Sequence, residues 1–444
     1  MIKIENEFPP VKLKEWKQQL EKDLSADQLN KLESWDEFQD LMSNAILNSE
    51  NSKVELSKIG QFPFTKGYGN KNFDFYNSQT IIFEEEEKCN SIALECLMKG
   101  CSSIQFDLGD FTILNLDVLF NEIDFRYISC FISIRNSKQY DLIKTYFGSI
   151  FPENLFISYD HFEFRNNDLL DILIEELKFK QFKTFVISGH YLHDTGANAT
   201  QEIAFSLAVG NFYLNELLSK GLDIDQALAC IHFTFGVSGD YLVEISKIRA
   251  FRKVWSLMVS KYEPKHMCSF VTYITSFTAL SNKSITDKYT NLIRQTSEVL
   301  AAMHADVDRI NVTPYENLLG DSDKKFSRKM AINIPLILIE ESKINGDIDV
   351  LGGSYTVEDI TNQLCENSWK LFGDMEQLGG IQENEAKTYL KNLILEKRLL
   401  KKSKIESKEL IYVGVNKYQT TENVESTLTN YPEYMNLPFF NIEM

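Results

Sequence analysis

Residues 185–218 read FVISGHYLHDTGANATQEIAFSLAVGNFYLNELL, and this stretch decides the fold that we expect for the chain. It opens with a short β-branched and aromatic run at 185–188, passes through a polar turn and continues as a long segment of helical period. One face of that segment carries apolar side chains, namely Ile203, Leu207, Leu214 and Leu218. A buried strand followed by an amphipathic helix is the repeating unit of parallel α/β folds.

The same strand-then-helix order recurs on both sides of this stretch. Short apolar runs separated by longer helical segments lie at 103–108, 127–134, 155–159, 231–235, 270–274 and 310–313. A second strongly patterned helix, at 241–258, would cover the outside of the sheet. With an eighth strand expected near 349–351, the sequence predicts an α/β fold, a (β/α)8 TIM barrel over residues 59–355.

Two flanking segments complete the predicted organisation. Residues 1–58 form an N-terminal arm with helix-like patterns at 16–24 and 35–47 and too little apolar surface for a core of its own. Residues 356–444 form a C-terminal helical extension, broken by Gly379-Gly380 and followed by a β-like run at 410–415. We expect the last thirty residues to be an extended tail lying on a surface.

Charge and composition exclude several classes of partner. The 444 residues carry 64 acidic and 46 basic side chains, a formal net charge of −18, which repels nucleic acid and anionic membranes. The first residues lack a basic segment followed by an apolar run, and no stretch approaches the ~18 apolar residues of a membrane span. We therefore expect a cytoplasmic protein without nucleic-acid or membrane partners. Its seven cysteines have irregular spacing and are expected to be reduced and buried.

The most reactive-looking residues follow the run at 185–188. The string SGHYLHD at 188–194 stands at the carboxyl end of a predicted strand, where barrel enzymes place catalytic groups. One interpretation is a metal-dependent hydrolase whose ligands come from His190, His193, Asp194, Asp107 and Asp240. The HxxHD spacing fixes no ligand geometry, so the alternative is a polar barrel mouth without a metal.

Several motifs, in the right order, resemble a known family. SGHYLHDTGA at 188–197 resembles the SGYHMQEAGA motif of adenosylcobalamin-dependent acyl-CoA mutases, and EISKIRA at 244–250 resembles EVAKLRA. DVLGGSYTVE at 349–358 is similar to DPxGGSYYVE. Shorter matches are NLIRQT at 291–296, the Gly379-Gly380 helix end and GVNKY at 414–418. The resemblance covers about residues 60–420 and implies a barrel.

The chain departs from that family at the positions that face substrate. His190 stands where the family has tyrosine and Tyr191 where it has the catalytic histidine, and a phenol cannot replace an imidazole near neutral pH. His193 takes the position of a glutamine. Cys230 takes the position of an arginine that neutralises an anionic substrate group. The cobalamin-binding DxHxxG motif does not occur in the sequence.

The pattern of matches and departures resembles the small subunit of heterodimeric methylmalonyl-CoA mutase. The resemblance implies a non-catalytic chain that binds no cofactor or metal and stabilises a catalytic large subunit, which holds adenosylcobalamin and isomerises methylmalonyl-CoA and succinyl-CoA. Alternatives are a mutase barrel for another acyl-CoA that uses a separate cobalamin subunit, and the metal-dependent hydrolase.

Two structural expectations follow from the resemblance. The barrel axis should be filled by side chains where catalytic members stay hollow, with Ile104, Phe106, Leu108, Phe131 and Phe233 as the candidates. The N-terminal arm should lie on a partner or across the barrel, because its apolar residues have few neighbours in sequence; these are Phe8, Pro9, Pro10, Leu13, Trp16 and Leu20.

Overall fold

A computed structural model gives the structure of the protein. It describes residues 11–30, 32–44, 46–52, 59–67, 75–148, 151–178, 183–318, 324–344, 349–419 and 433–443. Phe8, Pro9 and Pro10 of the predicted arm lie outside the described residues.

Eight parallel strands form the predicted barrel. After the antiparallel hairpin of β1 (Glu33–Asp36) and β2 (Leu41–Asn44), the order around the sheet is β6-β5-β4-β3-β10-β9-β8-β7. A single parallel residue pair, Tyr159 with Phe185, bridges β6 and β7 and nearly closes the ring. The barrel strands are β3 (Tyr76–Ile82), β4 (Ser103–Asp107), β5 (Ser129–Ser133), β6 (Leu155–Ser158), β7 (Phe185–Ser188), β8 (Ile231–Val237), β9 (Tyr273–Thr278) and β10 (Arg309–Asn311).

The helices surround this sheet and extend beyond it. The N-terminal segment contributes α1 (Leu13–Asp23) and α2 (Ala26–Asn30), and the C-terminal extension contributes α14 (Tyr355–Gln377) and α15 (Asn384–Glu406). The others are α3 (Glu86–Met98), α4 (Leu116–Leu119), α5 (Ser137–Phe147), α6 (His161–Phe164), α7 (Asn167–Leu177), α8 (Gly189–Asp194), α9 (Ala199–Ser219), α10 (Ile224–Ala229), α11 (Tyr241–Val259), α12 (Thr290–His304) and α13 (Lys325–Glu340). None of the described helices combines the length and apolar character that a membrane crossing needs.

The prediction of the eighth strand was wrong. Residues 349–351 form a turn in which Asp349 has a positive φ of 55°, and the eighth strand is β3 at the start of the barrel. Sequence reasoning missed β3 because its inward side chains, Ser78 and Thr80, are small and polar, so it does not read as an apolar run.

Three other local predictions are corrected. Residues 35–47 contain part of the β1–β2 hairpin rather than a helix, because Asp36 accepts the amides of Phe38 and Gln39 and Asp40 takes a positive φ of 56°. The run at 410–415 forms only an isolated bridge between Val413 and Lys417. Cys268 is exposed, while the other six cysteines are buried, and none of the seven forms a disulfide.

Two buried charge clusters hold the barrel wall to its helices. In the Arg249 cluster, the guanidinium donates to Asp349 at 2.5 Å and to Glu358 at 2.6 Å, and Lys66 lies 2.9 Å from Asp349. Arg249 comes from the motif at 244–250, and Asp349 and Glu358 come from the motif at 349–358. The two motifs therefore join α11 to the start of α14.

In the Lys247 cluster, the buried ammonium contacts Glu202 at 2.7 Å and Glu244 at 2.5 Å and donates to the carbonyl of Gly236. Burial alone would raise the pKa of Glu244, but Lys247 lowers it below its ordinary value. Burial alone would lower the pKa of Lys247, but the two carboxylates raise it. Both shifts favour the charged form, so Glu244 and Lys247 are both ionised.

The side chains inside the barrel are not those predicted from the sequence. Of the five candidates, Phe131 points inward, where its ring stacks beneath Arg309. Phe233 instead packs on Phe251 and Trp255 of α11, and Phe106 packs on Phe120. Ile104, Phe106 and Leu108 alternate with the inward Gln105 and Asp107, so strand period places them outside. The interior is lined by aromatic and polar groups instead.

The C-terminal tail, residues 433–443, is more buried than the sequence suggested. It lies across the carboxyl end of the barrel strands, and its buried members are Tyr434, Leu437, Phe439, Phe440, Asn441 and Ile442. The tail therefore lies on the mouth of the barrel, with most of its apolar side chains packed against it.

Candidate functional site

The carboxyl ends of the barrel strands enclose two connected spaces. The mouth pocket, about 240 Å³, is bounded by His190, Tyr191, Phe277 and the tail residues Tyr434 and Phe439. Beneath it lies the barrel chamber, about 70 Å³, which shares His190, Tyr191 and Phe277 and reaches down the axis to His232 and Arg309. Both spaces occupy the part of the fold where barrel enzymes carry out their chemistry.

His190 is fixed at the boundary between the two spaces. The chain turns directly from β7 into α8 at Gly189, where a Cβ atom would lie 2.6 Å from the carbonyl oxygen of Thr234. The His190 ring stacks on Phe277 at 4.1 Å between centroids, and its Nδ1 lies 2.6 Å from Thr234 Oγ1. Burial, and then the positive charge of Arg309, lowers the pKa of His190 to about 3. The imidazole is therefore neutral at physiological pH.

Tyr191 packs beside His190 under the tail. Its ring centroid lies 4.0 Å from that of His190 and 5.6 Å from that of Tyr434. Burial and then the nearby carboxyls of Glu163 and Asp107 raise the pKa of Tyr191 well above its ordinary value. The phenol keeps its proton and cannot serve as a base near neutral pH.

Three acidic side chains form one wall of the site. Asp160 accepts the amides of Phe162 and Glu163 at 2.8 and 3.1 Å, and the Tyr434 hydroxyl donates to it at 3.0 Å. Burial, followed by Asp160 and Asp107, raises the pKa of Glu163 to about 8. Arg135 approaches Asp107 only at 3.4 Å. The wall thus holds a carboxyl that is largely protonated at neutral pH.

The other two predicted site positions lie elsewhere. His193 is buried against Gly236 of β8, where its Nδ1 lies 3.2 Å from Glu202 of the Lys247 cluster. Cys230 caps α10 before β8 begins, at the opposite end of the barrel, and its thiol donates to the Gln226 carbonyl. The structure therefore brings together His190 and Tyr191 but separates them from Cys230.

The structure does not bring together the five ligands that a metal-dependent hydrolase would need. Asp194 accepts the amides of Leu280 and Ser281, and Asp240 lies in a different groove beside the β1–β2 hairpin. Within the described parts of the chain, no group of three or more His, Cys, Asp or Glu side chains is arranged to hold a metal ion. Asp107, His190 and Asp194 line the mouth pocket, but His193 contacts Glu202 and Asp240 lies in the other groove.

The tail is anchored across the mouth at several points. The Phe440 amide donates to the Asp194 carbonyl at 2.9 Å, and the Ile442 amide donates to the Ser281 carbonyl at 3.1 Å. Arg398 of α15 donates to the carbonyl of Pro438 at 2.8 Å. Glu443 accepts the Ser284 hydroxyl at 2.6 Å. Barrel loops and the C-terminal extension together hold the tail.

A sequence model of the family described as Methylmalonyl-CoA mutase matches residues 156–436. The chain belongs to the methylmalonyl-CoA mutase family. The match includes the α8 helix that carries His190, the residues of both buried charge clusters except Lys66, and the two helices of the extension.

Individual mutase-family proteins extend this similarity. The methylmalonyl-CoA mutase small subunit of Porphyromonas gingivalis is 26% identical over 440 residues, covering 94% of this chain and 71% of that subunit. The methylmalonyl-CoA mutase of Rhizobium meliloti is 29% identical, covering 57% of this chain and 35% of that protein. The mitochondrial enzyme of Bos taurus is 32% identical, covering 54% and 32%. The chain thus spans about a third of the length of the last two relatives.

Sequence reasoning about the mutase motifs missed three contributors to the site. Arg309 was excluded because the apolar run was taken to start at the next residue, although alternation with the inward Asn311 would have placed Arg309 inside the barrel. Glu163 and Tyr434 carried no motif signal. They reach the mouth through the short α6 helix and the tail, which only the tertiary structure brings together.

Proposed function

We propose that this chain is the small, non-catalytic subunit of a heterodimeric adenosylcobalamin-dependent methylmalonyl-CoA mutase. In this proposal, a catalytic large subunit binds adenosylcobalamin and isomerises methylmalonyl-CoA and succinyl-CoA in the cytoplasm. The chain described here stabilises that subunit and contributes no catalytic residue. The P. gingivalis relative is named as a small subunit and is similar over nearly the whole of this chain, which supports the assignment.

The observation that carries the proposal is the state of the barrel mouth. His190 is neutral and stacked, Tyr191 keeps its proton, and the tail residues Tyr434 and Phe439 bound the pocket above them. A general acid or base near neutral pH needs a pKa near the working pH and access to substrate. Neither side chain meets both requirements.

The residues at the mouth do not fit the cobalamin that the family uses. A corrin ring is much wider than the mouth pocket, and it would need the space that Tyr434 and Phe439 occupy. The carbonyl of Asp194 and the loop carbonyl of Ser281 are also engaged by the tail. We therefore assign the cofactor to the partner and derive no catalytic step for this chain.

The N-terminal arm supplies the proposed contact with the large subunit. None of the residues of α1 is buried, and Trp16 exposes 41% of its surface. The hairpin that follows is tied to α14, since Gln363 exchanges hydrogen bonds with the backbone of Met42. The arm is thus anchored at one end and presents at the other an exposed helix with Leu13, Trp16 and Leu20 on one face, which suits a clamp on a second chain.

Co-expression with a catalytic large subunit tests the proposal. We expect a stable complex with mutase activity, and no turnover by the isolated chain with adenosylcobalamin and methylmalonyl-CoA. A chain that begins at residue 25 should give less complex, while Trp369→Ala, an exposed change on α14, should not. Turnover by the isolated chain, with this or any other acyl-CoA, would favour the alternative of a catalytic barrel. Undiminished assembly without α1 would show that the arm is not the clamp.

A further inference from the structure

The barrel chamber contains a buried cation whose charge is not balanced by a neighbouring carboxylate. Arg309 is 1% exposed, and burial lowers its pKa to about 10. Its Nε donates to Thr275 Oγ1 at 3.1 Å and its Nη2 donates to Gln105 Oε1 at 2.7 Å, both neutral acceptors. The Phe131 ring lies 3.8 Å from the guanidinium carbon. These contacts orient the group, but they leave its charge in place.

Two nitrogen atoms in the wall of the chamber lack a hydrogen-bond partner among the described residues. They are Nη1 of Arg309 and Nδ1 of His232, and both side chains line the chamber. His232 is 1% exposed, and burial together with Arg309 and Lys183 lowers its pKa well below the ordinary value. A neutral imidazole can still donate from Nδ1 in one tautomer. Buried donors without a partner call for an explanation, and a bound ion or water is one.

The remaining lining of the chamber suits a small polar ligand. Hydroxyl groups come from Ser133, Ser158, Ser188 and Thr234. The volume of about 70 Å³ exceeds the ~10–15 Å³ that one water molecule needs, but it excludes a large metabolite. The acids Asp107, Asp160 and Glu163 stand at the upper end. There Asp160 accepts two backbone amides and the Tyr434 hydroxyl, Asp107 lies near Arg135, and none of the three acids forms an ion pair with Arg309 among the described residues.

We infer that the barrel chamber binds a small monovalent anion, a halide or a short carboxylate such as formate, between Arg309 and His232. The anion accepts from Nη1 of Arg309 and Nδ1 of His232 and neutralises the cation inside the barrel. This site is independent of the proposed role as a small subunit, because it concerns the isolated chain alone. It also explains how a barrel can tolerate an arginine on its axis.

Bromide diffraction on the wild-type chain tests the site directly. Crystals of the full chain soaked in sodium bromide should show an anomalous peak in contact with Arg309 Nη1 and His232 Nδ1. Water alone in the chamber, with bromide peaks confined to the surface, would overturn the inference. A matched formate soak distinguishes the two anion sources, since a planar three-atom density replaces the halide peak.

A thermal titration gives a second readout. At constant ionic strength, replacing potassium gluconate, which is too large for the chamber, with potassium chloride or formate should raise the wild-type unfolding midpoint by about 1–2 °C at tenfold excess over Kd. Arg309→Gln should abolish the shift, and Arg126→Gln, a change in an exposed ion pair, should retain it. Equal shifts in wild type and Arg309→Gln would contradict the inference, and if that variant does not fold, the bromide result decides.

Discussion

The two buried charge clusters and the barrel mouth contain similar residues but are built in opposite ways. In the clusters, Arg249 and Lys247 each lie between two carboxylates at hydrogen-bonding distance. In the mouth, Glu163 lies among other acids and is largely protonated, and His190 is neutral and stacked.

The difference follows the pattern of family motifs. The central cations of the clusters, Arg249 and Lys247, come from a motif that matches, whereas the departing positions His190 and Tyr191 lie at the mouth. Charges that join elements of the barrel are paired, and His190 and Tyr191 are kept neutral by burial beneath the tail. On the proposed role, the chain keeps the interactions that the fold needs without those that the reaction would need.

The largest effect should come from breaking a cluster. Arg249→Met leaves the buried Asp349 and Glu358 beside Lys66 but without the guanidinium that bonds both, which should lower the free energy of unfolding by about 3–5 kcal/mol. Urea unfolding followed by circular dichroism measures the loss. Arg126→Met, in an exposed pair with Asp124, is the control and should leave the midpoint unchanged. A loss below about 1 kcal/mol would show that the cluster is dispensable.

Replacing Glu163 should change the free energy of unfolding by a smaller amount and should stabilise the protein at high pH. Its pKa rises from 4.5 unfolded to about 8 folded, so the wild type is destabilised as pH rises through that window. Glu163→Gln removes the ionisation. Relative to wild type, the variant should gain on the order of 2 kcal/mol between pH 5 and pH 9. Unfolding curves at both pH values test this, and a pH-independent difference between the two proteins would contradict it.

The anchor of the tail should produce the smallest effect on stability. Tyr434→Phe removes the hydroxyl that donates to Asp160, whose carboxylate keeps two backbone amides, so the expected loss is about 1 kcal/mol. Hydrogen exchange should report faster opening of residues 433–443. Tyr418→Phe, at an exposed position, should change neither quantity. Unchanged exchange in Tyr434→Phe would mean that the hydroxyl does not hold the tail.

The sequence predicted a strand where its residues form a continuous apolar run, and missed it where inward polar residues interrupt that run. The barrel was predictable because seven of its strands are apolar runs next to amphipathic helices, as at 185–218. The strand β3 and the true lining of the axis were missed, since polar inward residues such as Ser78 and Arg309 hide the alternation. The motifs located His190 and Tyr191. Sequence spacing could not reveal that residues 433–443 return over the mouth, because no local signal encodes that contact.

The most direct test of the central claim is the mutase rate of the heterodimer when the mouth of this chain is altered. The doubly substituted chain His190→Ala, Tyr191→Phe would be co-purified with a catalytic large subunit and assayed with methylmalonyl-CoA and saturating adenosylcobalamin. The proposed non-catalytic role predicts the same turnover per complex as wild type. A fall of about 100-fold or more, the size expected for loss of a general acid or base, with the complex intact, would contradict it.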